Sequence, residues 1–242
     1  MGDFFKNRKL WVVVSLWGIA ALGLLSLAVW KPPSFLKVQE IVLETPVKHI
    51  SEKDLMRLAE VKKGQNLLLL SLRKVRANLL RYPWIREVEL SKKMPGRLIL
   101  RVEEQVPVVL VEMPSKPPVY YLMNHDGRAF KKAEAKDLKD LPLLTGFSEE
   151  SLGRQTKSLL ELLDQFDQSA DLGAVGVSEL HWNSARGLSL FTKDPGIRVD
   201  MGPAGWTDRL KTLEKAWGTI RHAAKKPKVI DLSLEDKIVV KE

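Results

Sequence analysis

The most pronounced pattern in the chain is an unbroken apolar run from Trp11 to Trp30, WVVVSLWGIAALGLLSLAVW. A helix of about 20 apolar residues spans the ~30 Å hydrocarbon core of a bilayer and satisfies its own backbone hydrogen bonds there. Tryptophan at both ends suits the headgroup regions that border this core. The pattern therefore predicts a single transmembrane helix over residues 11–30.

The flanks of this run predict its orientation. Lys6, Arg8 and Lys9 precede it against one acidic residue, Asp3, and short basic flanks stay in the cytoplasm. We therefore expect a cytoplasmic tail over residues 1–10 and export of the remainder. A cleaved signal peptide ending near Ser26-Leu27-Ala28 is the alternative, although the apolar run exceeds the ~7–15-residue core usual in such peptides.

Residues 35–104 begin with the pattern of a strand followed by two helices. FLKVQEIVLETP alternates and is rich in β-branched residues, which favours a strand. Ser51 with Asp54 resembles a capping box, and Lys63-Gly64 is expected to end the first helix. Ser71 begins the second helix, whose inward side chains are predicted to be Leu72, Val75, Leu79 and Leu80.

Two paired strands, Trp84–Leu90 and Arg97–Glu103, are expected to complete this region around a Pro95-Gly96 turn. One face of the first strand should carry Trp84, Arg86, Val88 and Leu90, and one face of the second Leu98, Leu100 and Val102. The predicted order is β-α-α-β-β, with both helices on one face of the sheet.

Residues 105–242 are predicted to form a strand-rich domain with two helices, so the fold class is α+β. One helix runs from Ser148 to about Phe166. The other follows Pro203, and its apolar stripe consists of Trp206, Leu210, Leu213, Trp217 and Ile220. Strands are predicted at residues 106–111, 119–123, 128–130, 177–183, 188–192, 197–201, 229–234 and 238–240.

The stretch GQNLLLLSLRKVRANLLRYPWIREVELSKKMPGRLILRVEEQVPV resembles the POTRA (polypeptide-transport-associated) domain of the FtsQ, or DivIB, family of bacterial cell-division proteins. The matching motif residues, which we interpret as structural, are Gly64, Asn66, Pro83, Trp84, Pro95, Glu103 and Pro107. Trp84 is expected in the core between helix and sheet. Leu141–Gly146 and Ile230–Leu232 resemble later family segments, but Ser233-Leu234 replaces an Arg-Tyr pair.

This resemblance implies an organisation and a function. It implies a cytoplasmic tail (1–10), a transmembrane helix (11–30), a POTRA domain (35–104) and a C-terminal β domain (105–242). It also implies a single-pass inner-membrane protein of the division septum with a periplasmic bulk, which scaffolds the division machinery, binds FtsB and FtsL, and links them to septal peptidoglycan synthesis. Further division proteins are expected to contact the POTRA domain.

Composition narrows the function classes. The net charge is +9, but the basic residues are scattered, which favours a solvated surface with some attraction to anionic lipids over nucleic-acid binding. The chain has no cysteine, and its four histidines lack ligand spacing. No catalytic or nucleotide-binding motif occurs. We expect no enzyme activity, cofactor, metal or small-molecule substrate.

Two alternatives to a scaffold stay open. A POTRA-type transport or assembly module is one, although a membrane barrel requires at least eight strands of about 10 residues, and the predicted strands are few and short. An exported enzyme or wall-binding module is the more remote one.

The partner surface is predicted at the C-terminal strands. Ile230, Leu232 and Leu234 are expected to face the core, and no further strand follows to cover this edge of the sheet. An open edge can accept a partner strand, so Ser233 or Leu234 should point its N–H outward. Internal pairing that merely closes the fold is the alternative. The predicted partner-binding residues are Val229, Asp231, Leu232, Ser233, Leu234, Ile238 and Val240.

Overall fold

The computed structural model describes residues 11–23, 33–137, 140–222, 227–234 and 237–241. The chain divides after Gln105 into two compact units. Helix α1 (residues 11–23) lies within the predicted membrane span, and its side chains are exposed. Residues 24–30 of that span and the predicted tail 1–10 lie outside the described residues. Within the described ranges, no helix combines the length and the apolar character that crossing a membrane requires.

The first unit has the predicted β-α-α-β-β order. Its elements are β1 (Glu40–Leu43), α2 (Glu52–Ala59), α3 (Leu72–Leu79), β2 (Ile85–Lys93) and β3 (Arg97–Glu104). Strand β3 lies in the middle of the sheet, parallel to β1 and antiparallel to β2. Leu98, Leu100 and Val102 of β3 are buried on one face, as predicted, in an apolar cluster with side chains of both helices.

Ser51 and Ser71 cap the two helices as predicted, each accepting a hydrogen bond from the N–H three residues later. The expected end of the first helix at Lys63-Gly64 is wrong. Helix α2 ends at Ala59 because Glu60 adopts a left-handed conformation (φ 54°) and donates its N–H to Arg57. Gly64 (φ 89°) instead forms a later turn, and its N–H donates to the Val38 carbonyl over 2.8 Å.

Two predicted side-chain placements in the first unit are wrong. Leu80 is 39% exposed, because α3 ends at Leu79 and its buried face includes Asn78 instead. Arg86 does not share a face with Val88: a register shift between Ile85 and Glu87 interrupts the alternation, so Arg86 is exposed and binds Glu103 at 3.0 Å.

Trp84 is buried, as predicted, but it precedes β2 rather than opening it. Its ring stacks on the imidazole of His49 with centroids 3.6 Å apart. The carboxylate of Glu104 fixes that imidazole, because it accepts hydrogen bonds from the backbone N–H of Lys48 and His49 and lies 3.2 Å from His49 Nδ1. The ring of Trp84 is therefore held in place partly by a polar cluster of His49 and Glu104.

Among its described residues, the second unit contains one nine-stranded sheet and two α-helices, α4 (Glu149–Gln168) and α5 (Trp206–Arg221). The strands are β4 (Pro107–Met113), β5 (Val119–Asn124), β6 (Ala129–Lys132), β7 (Leu143–Thr145), β8 (Val177–Asn183), β9 (Gly187–Thr192), β10 (Arg198–Gly202), β11 (Val229–Asp231) and β12 (Val239–Lys241). Their order across the sheet is β12-β11-β10-β9-β8-β7-β4-β5-β6.

Apolar side chains of both helices pack in one cluster with side chains of the sheet. Ser148 caps α4 by accepting from the N–H of Ser151, which places Leu152, Leu159, Leu163 and Phe166 in this core. All five residues of the predicted α5 stripe, Trp206, Leu210, Leu213, Trp217 and Ile220, are buried. The outermost strands of the sheet are β6 and β12. Another strand could pair with the sheet at these two edges.

Candidate partner-binding edge

The predicted partner-binding residues lie on and around the last two strands of the sheet. Strand β11 is paired on both sides, parallel to β10 and antiparallel to β12. The edge is therefore β12, and no other strand of the described chain lies along its outer side. The expectation that residues 229–234 form the open edge is wrong, because Val239–Lys241 covers it.

Hydrogen bonds identify which backbone groups of β12 point outward. Arg198 N–H donates to the Lys228 carbonyl (3.0 Å) and Leu232 N–H to the Asp200 carbonyl (2.9 Å), so the even-numbered residues of β11 face β10, apart from the Lys228 N–H before the strand, which donates to the Lys241 carbonyl (2.9 Å). Val229 and Asp231 consequently face β12, where their partners are Lys241 and Val239. Because successive residues of a strand alternate, Val240 directs its N–H and C=O to the outer edge.

The predicted strand ends three residues early because of Asp231. The Asp231 carboxylate accepts from the Ser233 N–H (2.9 Å) and from the Ser233 hydroxyl (2.6 Å), which closes a tight Asx-type turn. These hydrogen bonds from Ser233 hold the pKa of Asp231 below its usual range. Ser233 therefore has no outward N–H to offer, which leaves Leu234 of the two predicted positions.

The turn also determines which side chains reach the core. Leu232 is buried (3% exposed) as predicted, together with Ile230, whereas Leu234 is turned out and is 52% exposed. Ile238 packs against the edge of the core, and Val240 is 45% exposed. The structure thus brings three apolar side chains, Leu234, Ile238 and Val240, to the accessible end of the sheet.

A groove of about 640 Å³ adjoins this edge. One side is formed by Leu232, Leu234, Lys237 and Ile238, and the other by the beginning of α5, with Gly205, Asp208, Arg209 and Thr212. The groove is lined by apolar side chains of Leu232, Leu234 and Ile238 and by charged side chains of Lys237, Asp208 and Arg209, a combination suited to receiving side chains of a bound polypeptide.

Arg209 is the residue of this site that the sequence pattern does not indicate. Its guanidinium donates to the Met201 and Ser233 carbonyls and so ties the end of β10 to the Asp231–Ser233 turn. Gly202 lies beneath it in a left-handed conformation (φ 69°) that favours glycine, and a Cβ there would also displace the guanidinium. Arg209 lies three residues after Trp206, beside the apolar stripe of α5, which is the signal that could have identified it.

The motif residues that we interpret as structural lie in the first unit, apart from Pro107 at the beginning of the second. Asn66 Oδ1 accepts from the Leu68 N–H at 3.0 Å, and Pro95 lies in the β2–β3 turn. Pro83 immediately precedes the buried Trp84, and Pro107 opens β4. Within the described residues, no cluster of three or more histidine, aspartate or glutamate side chains could hold a metal ion.

Comparison with known proteins gives consistent matches. Residues 36–105 match the family described as POTRA domain, FtsQ-type, and residues 115–233 match Cell division protein FtsQ/DivIB, C-terminal. The chain is 30% identical to the Cell division protein FtsQ of Geobacter sp. (strain M21), over 84% of this chain and 75% of the relative. The Syntrophotalea carbinolica protein of the same name is 27% identical over 98% of this chain and 90% of its own length.

Proposed function

The chain belongs to the FtsQ/DivIB family of cell-division proteins, and from this premise we propose that it is a membrane-anchored scaffold that binds its division partners by strand addition at β12. The observation that carries the proposal is the outward backbone of Val240 on an edge strand bordered by a groove. Strand addition obtains affinity from main-chain hydrogen bonds and specificity from side-chain pockets.

We identify FtsB as the partner whose strand pairs with β12 and FtsL as its companion, as the family resemblance implies. The departure at Ser233-Leu234 supports a backbone-led mode of binding. Ser233 is held by Asp231, so its side chain is committed within the chain, while exposed Leu234 still borders the groove. Recognition would then use Val240 N–H and C=O together with the apolar groove.

The proposed setting is the inner membrane at the division septum. The apolar run Trp11–Trp30 would anchor the chain, with the tail in the cytoplasm and both compact units in the periplasm. Because the chain has no cysteine, a single introduced cysteine is the one thiol of the protein that a maleimide can label, and its labelling reports the topology. Gln168→Cys should react with an impermeant maleimide in intact cells, and Asn7→Cys should react only after lysis. Labelling of Asn7→Cys but not Gln168→Cys in intact cells would reverse the assignment.

Depletion of the protein in its own bacterium tests the proposed function. Cells that lose a division scaffold continue to grow without closing septa, so we expect filaments with incomplete constrictions. The wild-type chain supplied in trans should restore division. Normal division after complete depletion would refute the scaffold role.

A further inference from the structure

The first unit carries an exposed apolar patch at the end where the chain enters it. Four large side chains form this patch: Phe35 (50% exposed), Leu68 (59%), Leu69 (62%) and Met94 (47%). They belong to three segments, residues 33–39, 61–70 and 91–97. We call this surface the entry patch.

Hydrogen bonds bring the three segments together. Leu67 N–H donates to the Leu36 carbonyl (2.7 Å), Gln39 N–H to the Gly96 carbonyl (2.7 Å) and Lys92 Nζ to the Leu68 carbonyl (2.9 Å). The patch is therefore a single surface at one end of the sheet.

The exposure of the leucines is built into a defined turn. In the run Leu67–Leu70, Leu67 is fully buried and Leu70 packs against the core, while the two middle leucines point outward. Asn66 fixes this arrangement by accepting from the Leu68 N–H at 3.0 Å. This turn holds the side chains of Leu68 and Leu69 in solvent. Such a fixed exposure of two leucines indicates that they bind an apolar surface.

The charge around the patch identifies the counterpart. The three segments carry six basic residues and no acidic residue: Lys37, Lys62, Lys63, Lys92, Lys93 and Arg97. Within the described residues, none of the six has a carboxylate at ion-pair distance, whereas Arg101, in the middle of β3, binds both Glu44 and Glu89. The exposed leucines can insert among lipid headgroups, and the neighbouring basic side chains without a carboxylate partner can bind anionic lipid.

Chain length keeps the patch near the bilayer. Four residues lie between Trp30, the end of the apolar run, and Phe35, and the five Cα-to-Cα steps that join the two reach at most about 18 Å. We propose that the entry patch docks onto anionic phospholipid, so that the first unit lies against the membrane surface rather than swinging freely on its anchor. This inference rests on the proposed membrane anchorage.

Lipid-quenching fluorescence on the full chain tests the proposal. Single-cysteine variants Leu69→Cys, Lys53→Cys and Leu22→Cys, each carrying a small fluorophore, would be reconstituted into vesicles containing nitroxide-labelled lipid. Lys53 is the matched control, because it is exposed on α2 at the opposite end of the unit. The vesicles would contain either phosphatidylcholine alone or equal parts of phosphatidylcholine and phosphatidylglycerol.

We expect quenching at Leu69 in the anionic vesicles, weaker quenching there in neutral vesicles, and none at Lys53. The double substitution Lys62→Glu/Lys63→Glu should reduce the Leu69 quenching to its neutral-lipid level. The equally charged control Lys48→Glu/Lys53→Glu, at the other end, should leave it unchanged.

Quenching at Leu69 no stronger than at Lys53, in vesicles where Leu22 is quenched, would overturn the patch proposal and leave the anchor intact. Unquenched Leu22 with quenched Leu69 would refute the anchor and support the patch. A loss of quenching at both positions would refute both proposals.

Discussion

The nine-stranded sheet ends in two edges that differ in how they meet solvent. Strand β6 carries a bulge, since Leu122 pairs with Lys131 while Met123 pairs with Ala129, and it presents two lysines. Lys131 Nζ binds Asp137 at 2.6 Å and Glu134 at 3.0 Å, which fastens the following loop beside this strand. Strand β12 has valine at two of its three positions, and Val240 is 45% exposed.

Natural sheets block their edges with charges and bulges, so an edge without them is one that a partner can use. The β6 edge has both devices, whereas the β12 edge has a single lysine, Lys241, no register shift in its pairing with β11, and a groove beside it. In the proposed function, protection of β6 would direct strand addition to β12. Each prediction below alters one of these edges, or the turn that supports it, and has its own reference variant.

The largest expected effect is on stability at the protected edge. Lys131→Met should lower the free energy of unfolding by about 3 kcal/mol, because it leaves the Asp137 carboxylate nearly buried without its cation. Burial acts to lower the pKa of Lys131, but hydrogen bonds to Asp137 and Glu134 outweigh it and raise this pKa. Urea unfolding of the full chain in detergent, followed by tryptophan fluorescence, measures the loss.

The neighbouring Lys132→Met is the control for this substitution, since Lys132 is exposed and should change stability by less than about 0.5 kcal/mol. Equal stability of the two variants would show that the ion pairs do not fasten the β6 edge.

The second effect is on partner binding at the open edge. Val240→Pro removes the outward N–H and places a ring against an incoming strand, without removing a donor to β11. We expect at least a tenfold loss of FtsB affinity, about 1.4 kcal/mol, in a titration of the full chain. Circular dichroism would verify that the variant remains folded.

Lys132→Pro provides the matched edge control. Ala133 N–H donates to the Tyr120 carbonyl, so alternation directs the Lys132 N–H outward on β6 just as Val240 is directed on β12. This variant should bind FtsB like the wild type. If both proline variants bind normally, neither edge is the docking site, and loss in Lys132→Pro alone would place it on β6.

The smallest effect concerns the turn that supports β12. Asp231→Asn should cost about 1 kcal/mol at neutral pH, since charge-assisted hydrogen bonds from Ser233 become neutral ones. The pKa of Asp231 is lowered in the folded state, so its contribution is complete above about pH 4 and is lost as pH falls through the lower folded value.

Unfolding free energies between about pH 5 and pH 2 check this linkage. The wild type should lose more stability than Asp231→Asn over that interval. Asp208→Asn is the reference, because its side chain is 87% exposed and outside the turn. A pH dependence of Asp231→Asn identical to the wild type would contradict the assigned role of the carboxylate.

Local signals predicted most elements of this fold. The serine caps at Ser51, Ser71 and Ser148 and the buried stripe of α5 follow from spacing alone, and the structure confirms them. The bulge in β2 could not be predicted, because a register shift depends on pairing with β3, which sequence alternation does not contain.

The sequence predicts that the C-terminal strands lie at one end of the sheet, and the structure confirms this placement. The predicted extension of the strand to Leu234 is wrong. Ser233 looked like a continuation of the alternation, whereas its bond to Asp231 turns the chain and exposes Leu234. Side chains that compete for backbone N–H groups end strands in ways that hydrophobic patterning does not register.

Residue-resolved amide hydrogen exchange of the full chain, with and without FtsB, tests the central claim most directly. Val240 N–H points away from β11, so it should exchange rapidly in the free protein and slow markedly when a partner strand accepts from it, while Lys132 N–H should be unaffected. Unchanged exchange at Val240 under saturating FtsB would contradict strand addition at β12.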